Sequence, residues 1–238
     1  DGTAEMYGDT TRPDFVGMEA GEDSGVEILF TFDDHGQPTG AMVNTACPSQ
    51  VMEATYEISS DFMGAAREQL KGHFGPNFHT LCQVSAAGCQ SPRDLTRNFR
   101  TEPDFWHADG VPVHAERLAQ AVTTAFAQTA GRVDFDPVFR HECHRVALPR
   151  RRASYQDYVQ AKNTLARLVA AMPEKEAFED FCRQTHANEK IPGRPGPYDS
   201  KLHHFVRIQN NKAVIRRYES QDAEPTFSFD LQVLRLGD

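Results

Sequence analysis

The sequence predicts an α/β or α+β fold in which a mixed β-sheet packs against helices. Strand and helix patterns alternate in the first half of the chain, the middle is dominated by helix patterns, and strand patterns cluster near the end. The 238 residues, of which 39% are hydrophobic, suffice for one large domain or two small ones. We expect residues 1–238 to form a single partial domain, because the Pro- and Gly-rich segment 191–197 predicts a loop after which strands resume at once.

The first predicted elements are three strands. Val26–Phe32 places apolar residues at alternate positions, which is typical of a strand with one buried face. The turn-forming residues 33–40 follow, and Gly40–Ala46 returns as a second strand, so the two form a hairpin. His79–Ser85 is short and apolar and predicts the third strand.

A helix is predicted between the second and third strands. It begins at Asp61, with Ser59 or Ser60 as its cap, and ends at Gly72 or Gly75. Its apolar stripe comprises Met63, Ala66, Leu70 and Phe74.

The second half of the chain predicts three helices followed by a small meander. The first helix ends before Gly131, the second starts with a capping box at Ser154–Asp157 and stops at Pro173, and the third follows directly. Their apolar faces are Leu118, Val122, Ala125, Phe126 and Thr129 in the first, Tyr158, Ala161, Leu165, Leu168, Val169 and Met172 in the second, and Phe178, Phe181, Cys182 and Thr185 in the third. The meander comprises His203–Gln209, Ala213–Tyr218 and Pro225–Leu236, with a turn near Asn210 and Asn211.

Composition excludes several classes of function. The net charge of −9 disfavours a nucleic-acid partner, since binding phosphates requires a basic surface. The basic run Arg150–Arg152 is the local exception and predicts a solvated loop before a helix. No stretch approaches the roughly 20 apolar residues that a transmembrane helix needs. The five cysteines are an odd number without CxxC spacing, so they predict neither a disulfide framework nor a zinc ribbon.

The ends of the chain suggest that it is a fragment of a longer protein. It starts with neither an initiator Met nor a signal peptide, and its last apolar strand leads into a Gly-Asp turn. We expect the strand Phe227–Leu236 to leave at least one edge or apolar face uncovered. The sequence leaves the protein's compartment open. The longer protein is secreted or periplasmic if a signal peptide precedes the fragment, and it is otherwise cytoplasmic. The sequence also leaves the oligomeric state open.

The histidines and cysteines predict no complete metal or thiol site. His141 and His144 lie three apart in a predicted strand and therefore face opposite sides, and His203 and His204 fail the same test. Cys47 and Cys89 have no histidine placed beside them in the sequence, so both predict buried, inert thiols.

Ser91 lies in the stretch Gly88–Arg93, which follows the third predicted strand. The G-x-S-x-G signature of lipase-type hydrolases is absent. Pro92 biases Ser91 toward an extended conformation, and the Gly-containing approach allows a substrate to come close to the backbone. From these residues alone, a plain turn and a serine presented at an active site both remain open.

Three short motifs in this order resemble the neutral/alkaline non-lysosomal ceramidase family and its bacterial relatives. Gly88–Arg93 resembles the family's Gly-Asp-x-Ser-Pro-Asn stretch, Ser60–Gly64 resembles its Ser-x-Asp segment, and Val43–Ser49 resembles its earlier strand-and-turn segment. The resemblance is clearest between Glu27 and Leu95. It implies that the chain is the central part of a ceramidase-like catalytic domain.

The resemblance implies a zinc-dependent amidase that cleaves the N-acyl bond of ceramide or of a similar lipid or small molecule. Ser91 then corresponds to the family's catalytic serine, as nucleophile or as a positioning group. The residues that the resemblance places beside it are Asn44, Cys47, Asp61, Gly88, Cys89, Pro92 and Arg93.

The chain departs from the family in three places. Cys89 replaces the motif's Asp, Arg93 replaces its Asn, and no histidine lies around Pro48–Gln50, where ceramidases place a zinc ligand. We therefore expect the zinc ligands to lie largely outside residues 1–238, with no complete metal site in this chain. Two alternatives remain: a non-catalytic relative that binds a ligand or partner, and a metal-free serine hydrolase in which a His and an acid converge on Ser91.

Overall fold

A computed structural model describes residues 4–53, 58–98, 101–103, 105–129, 131–188 and 203–237, with the side chains of residues 185–188 left out. The chain divides into two compact units, Asp1–Phe135 (unit 1) and Asp136–Asp238 (unit 2). The described residues combine helices with small sheets, which confirms the predicted α/β or α+β class. Instead of one mixed sheet, they form a three-stranded sheet in unit 1 and a two-stranded sheet in unit 2.

The sheet of unit 1 has the order β1-β2-β3, with β1 at Val26–Phe32, β2 at Pro38–Thr45 and β3 at His79–Val84. The β1–β2 pair is antiparallel, as the predicted hairpin requires, whereas β2 and β3 run parallel. A β-carbon at Gly40 would lie 2.5 Å from the backbone oxygen of His79. The close approach of β2 and β3 therefore requires glycine at this position.

Two helices, α1 at Asp61–Phe74 and α2 at His107–Thr129, pack on each other and on one face of this sheet. Both helices and all three strands were predicted from the sequence, and Gly75 follows α1 as expected. On β2, Ala41 and Val43 face the helices. The core comprises Ala41, Val43, Val51, Phe62, Met63, Ala66, Leu70, Phe78, Ala115, Leu118, Ala119 and Val122.

The described residues of unit 2 form three helices, α3 at Tyr155–Ala171, α4 at Glu174–Asn188 and α5 at His204–Ser220. The predicted capping box is confirmed: the Ser154 hydroxyl accepts a hydrogen bond from the Asp157 N–H, and the Asp157 carboxylate accepts one from the Ser154 N–H. The buried side chains that join the helices are Leu168, Ala177 and Ile208.

The prediction of strands at His203–Gln209 and Ala213–Tyr218 with a turn near Asn210 and Asn211 is wrong, because His203 is the N-cap of α5 and the rest of this segment lies in the helix. The apolar residues of this segment alternate as in a strand, but Gln209 and Lys212 also have the spacing of one helix face. Gln209 and Lys212, three residues apart, both bind the carboxylate of Glu174 at the start of α4. Tertiary contacts of this kind override local strand propensity.

A long antiparallel ribbon completes unit 2, with β4 at Phe139–Pro149 and β5 at Thr226–Leu236. Among the described residues, β5 pairs with β4 alone and carries apolar side chains that are exposed, which confirms the expected uncovered strand. The exposed apolar side chains of the ribbon are Phe139, Leu148, Phe227, Leu231, Val233, Leu234 and Leu236.

Two further predictions concern loops. Arg150–Arg152 form an exposed segment between β4 and α3, as predicted. The predicted loop at 191–197 lies outside the described residues. Within the part of the chain that the structure describes, none of the helices has the length and apolarity that crossing a membrane requires.

Candidate functional site

The parallel pairing of β2 and β3 places their carboxyl ends at one edge of the sheet. The two strands are joined through α1, so the start of α1 follows the end of β2 at this same edge. The Ser85 N–H donates to the Thr45 carbonyl oxygen at 3.0 Å and extends the pairing past both strands. In α/β proteins, ligands bind beyond the carboxyl ends of such strands. We call this region the C-terminal edge; it comprises residues 46–53, 58–62, 85–98 and 105–107.

Asp61 ties the loop after β2 to the start of α1. One carboxylate oxygen accepts the Met52 N–H and the other accepts the Phe62 N–H, both at 2.8 Å. The Ser59 hydroxyl accepts the Asp61 N–H at 2.9 Å, so Ser59 rather than the N-cap Ser60 supplies the side-chain bond. Asp61 is only 5% exposed and has a left-handed φ of 55°. Its side chain therefore fixes the backbone of this edge.

Cys47 lies beside this carboxylate. Burial, with a smaller contribution from the charge of Asp61, raises the pKa of the Cys47 thiol to about 11. The thiol is therefore protonated near neutral pH and is a poor nucleophile, in line with the inert role predicted for it. Cys89 differs, because its side chain is exposed, so the prediction that it is buried is wrong.

The start of α2 reaches the same edge, which the sequence did not predict. The His107 N–H donates to the Val51 carbonyl oxygen at 3.0 Å. Phe105 and His107 have left-handed φ angles of 50° and 59°, and Trp106 between them is 7% exposed. Strained backbone of this kind persists only where its surroundings fix it. In the sequence, the contact between the start of α2 and the loop after β2 was indicated only by the single tryptophan, Trp106, which lies between the aromatic residues Phe105 and His107.

His114 lies about two turns along α2 from His107 and was also missed. Its ring centroid is 5.8 Å from that of Phe62, and it forms a hydrogen bond with the backbone of Phe105. Burial, with the nearby Arg117 guanidinium as the next contribution, lowers the pKa of His114. Its Nε2 is buried and makes no hydrogen bond within the described ranges. Burial therefore favours the neutral form of this imidazole, against a smaller opposing contribution from the charge of Asp61.

The half-buried Ser91 lies in a tight turn. Its hydroxyl oxygen accepts the Arg93 N–H at 3.2 Å, and Pro92 between them is buried. The Arg93 guanidinium carbon lies 5.7 Å from the centroid of the Trp106 ring. The Ser91 turn is thereby attached to the start of α2, which in turn is bonded to Val51.

The structure brings some of the predicted site residues together and separates others. The charge of Asp61 acts on the Cys47 thiol, and contacts through Arg93 and Trp106 link the Ser91 turn to the same edge. Asn44 donates to a Glu27 carboxylate oxygen at 3.0 Å, on the sheet face opposite the helices. Its side chain is therefore turned away from Asp61. Gly88, next to the exposed Cys89, has open space where a side chain would lie.

The metal-binding side chains of the described residues are not arranged to hold a zinc ion. Within the described ranges, no three His, Cys, Asp or Glu side chains are grouped so that they could hold a metal.

The predicted strand containing His141 and His144 is confirmed as β4. The strand argument for His203 and His204 is wrong, because His203 is the N-cap of α5, where it accepts the Phe205 N–H, while His204 bonds to the Leu168 carbonyl oxygen at 2.8 Å.

Comparison with known proteins returned no match to a family model, to a curated protein sequence or to a solved structure.

Proposed function

We propose that the chain is the serine-bearing part of a hydrolase of the neutral ceramidase type, which cleaves the N-acyl amide bond of a ceramide-like lipid. The observation that carries this proposal is the β2-α1-β3 unit. In this unit the end of β2, the start of α1 and the loop after β3 belong to one edge, and the three segments that resemble the ceramidase motifs fall there: Val43–Ser49, Ser60–Gly64 and Gly88–Arg93. A shared edge gives three distant motifs one location, as a common active site requires.

The reaction adds water across the amide, so the C–N bond breaks, the acyl carbon gains an oxygen and the amine leaves with a proton. Ser91 acts in this step either as the nucleophile or as a hydroxyl that positions the attacking water. The dipoles at the starts of α1 and α2 favour negative charge, whereas the Phe62 and His107 N–H groups are already bonded to Asp61 and Val51. These dipoles are therefore suited to stabilise the charge that develops on the carbonyl oxygen.

Zinc has no part in the steps proposed for these residues, because the described donor set does not fit it. A zinc ion held by other residues would supply polarisation of the amide carbonyl. In this proposal its ligands come from sequence outside residues 1–238.

The test is hydrolysis of a fluorescent ceramide analogue by the full-length protein and its Ser91→Ala variant. We expect turnover to fall on the order of a hundredfold or more, the effect of removing a positioned catalytic group. Ser24→Ala is the matched control, because Ser24 is an exposed serine before β1. A Ser91→Ala variant that keeps the turnover of the control would contradict the catalytic role.

A second candidate is a non-catalytic relative that binds a lipid ligand or a partner. This candidate is favoured because the Ser91 hydroxyl oxygen already accepts the Arg93 N–H within the turn. None of the hydrogen bonds between described residues joins a histidine to Ser91, so the metal-free serine hydrolase has less support. Binding of the ceramide analogue without release of its fatty acid, in wild type and Ser91→Ala alike, would select the binding role.

A further inference from the structure

The outer edge of β5 is an unpaired row of backbone hydrogen-bonding groups. Among the described residues, β5 pairs with β4 alone, and this pairing runs along all of Thr226–Leu236. Successive residues of a strand direct their N–H and C=O groups to opposite edges, so alternate residues of β5 point them away from β4. Such an edge is a template for one more strand.

The composition of β5 leaves this edge unprotected. Native edge strands are usually protected by lysine, by proline or by a β-bulge. β5 contains neither lysine nor proline, and its register with β4 has no shift. β4, in contrast, ends at Pro149 and carries three Arg or Glu side chains. Of the two outer edges of the ribbon, that of β5 is therefore the more open to pairing.

The charges of β5 balance and are partnered within the chain. The Arg145 guanidinium donates to an Asp230 carboxylate oxygen at 2.9 Å, and the Arg235 Nε donates to the Gly237 carbonyl oxygen at 3.1 Å. Asp230 and Arg235 are the two charged residues of the strand, so β5 has no net charge. A second copy of the same strand can therefore approach it without electrostatic repulsion.

The ribbon also gains stability from additional strands. Phe227, Phe229, Leu231 and Val233 alternate along β5 and share one face, and all but the half-buried Phe229 are exposed. A two-stranded ribbon is at best marginally stable in water, whereas three or more strands with an apolar face are stable. Pairing along the free edge of β5 supplies the missing strands.

A second copy of β5 fits beside the first when a two-fold axis passes through Leu231. Identical strands related by such an axis pair antiparallel, and all eleven residues of β5 then have a partner. Leu231 lies opposite Leu231 of the second copy, and Phe229 lies opposite Val233 of the second copy. Aromatic and β-branched side chains in such cross-strand pairs stabilise a sheet.

Charge distinguishes this register from its neighbours. An axis at Asp230 would place two carboxylates opposite each other, and an axis at Gln232 would place Asp230 opposite the apolar Leu234. With the axis at Leu231, each Asp230 lies opposite Gln232 of the second copy, whose amide can donate to the carboxylate. The strand is therefore complementary to itself in one register.

We propose that the outer edge of β5 binds a second copy of this chain and forms a four-stranded sheet of the order β4-β5-β5-β4 about a two-fold axis at Leu231. Both copies use the same surface, so the contact closes at a dimer. The proposal concerns unit 2 and does not depend on the hydrolytic role proposed for Ser91.

The first test is the oligomeric state of the protein as a function of concentration, measured by analytical ultracentrifugation. We expect an equilibrium between monomer and dimer. Leu231→Lys places two like charges opposite each other at the axis and should raise the dissociation constant of the dimer on the order of tenfold. Leu148→Lys is the matched control, because Leu148 is exposed on the same face of the ribbon but belongs to β4, and its dissociation constant should equal that of wild type.

The second test reports the register and remains available if Leu231→Lys does not fold. The background carries Cys89→Ser and Cys143→Ser, which remove the two exposed cysteines. In it, Leu231→Cys should form a disulfide-linked dimer when copper phenanthroline is added as the oxidant, because opposed strand residues lie within disulfide reach. Leu234→Cys is the control, because Leu234 lies opposite Ser228 of the second copy and the two introduced thiols would be about 20 Å apart.

The outcomes decide the proposal. A dimer that is weakened by Leu231→Lys but not by Leu148→Lys, and that is cross-linked by Leu231→Cys but not by Leu234→Cys, supports it. Equal weakening by Leu148→Lys would assign the contact to the ribbon face, and equal cross-linking of the two cysteine variants would indicate unspecific association; either result would overturn the proposal. A monomer at every concentration would also overturn it, and slow hydrogen exchange of the β5 amides in that monomer would assign the edge to another segment of the same chain.

Discussion

Replacing Asp61 by alanine should destabilise unit 1 far more than an ordinary change at a helix start. The substitution removes the carboxylate that accepts the Met52 and Phe62 N–H groups. It also places alanine at a left-handed φ of 55°, which aspartate tolerates better. The loop after β2 would then lose the contact that joins it to α1.

The bond from the Met52 N–H to the charged oxygen contributes about 1.5–3 kcal/mol. The lost bond at the helix start and the left-handed backbone each add about 1 kcal/mol. We therefore expect the free energy of unfolding to fall by about 4 kcal/mol. Asp61→Asn should cost about half as much, because asparagine keeps one acceptor oxygen and tolerates this φ.

The assay is urea unfolding followed by the fluorescence of Trp106, the single tryptophan, which lies in unit 1. Asp109→Ala is the matched control, because Asp109 is an exposed aspartate in the first turn of α2. Removing the Asp109 carboxylate should lower the free energy of unfolding by about 0.5 kcal/mol. If Asp61→Ala costs no more than Asp109→Ala, the assignment of Asp61 as the link between loop and helix is refuted.

Two further predictions concern titratable groups near the same edge. At about pH 8, the exposed Cys89 should react with iodoacetamide on the order of a hundredfold faster than Cys47, because burial raises the pKa of the Cys47 thiol to about 11. Mass spectrometry of the alkylated peptides measures both rates. Equal rates would contradict the burial of Cys47. Because the pKa of folded His114 is lowered from 6.5, the unfolded chain takes up the proton first, so the free energy of unfolding should fall as the pH drops below 6.5. Denaturation across that range should show a smaller fall in His114→Gln, and an identical fall in both proteins would contradict the assignment.

Local signals account for the elements that the sequence predicted correctly. The alternation in Val26–Phe32, the helix stripe after Asp61 and the capping box at Ser154–Asp157 each depend on neighbouring residues only. Such patterns can be recognised without knowing the tertiary structure.

The errors have a common physical cause, which is contact between distant residues. Helix α5 was missed because its Gln209 and Lys212 are held by Glu174 of α4. The start of α2 was missed as part of the site because the bond between His107 and Val51 joins segments far apart in sequence. The bond between His107 and Val51 leaves no periodic pattern in the sequence, and in α5 the alternating apolar residues concealed the helical spacing.

The candidate site was predicted in part for the same reason. The parallel neighbours β2 and β3 explain why Cys47, Asp61 and the Ser91 turn belong to one edge. Asn44 was included because it lies in the segment Val43–Ser49 that resembles the ceramidase motif, yet alternation along β2 turns its side chain to the other face. The catalytic role of Ser91 remains a prediction.

The central claim is that the segments after β2, before α1 and after β3 meet at one edge of the sheet. Paramagnetic relaxation enhancement tests it directly, with a nitroxide on Cys89 in a variant that carries Cys143→Ser and Cys182→Ser. We expect strong broadening of amide signals at residues 45–49 and at the start of α1. We expect sharp signals at the turn of residues 33–36, which lies at the other end of β2, about 25 Å away. Equal broadening at both ends of β2, or broadening confined to the loop that carries the label, would contradict the account.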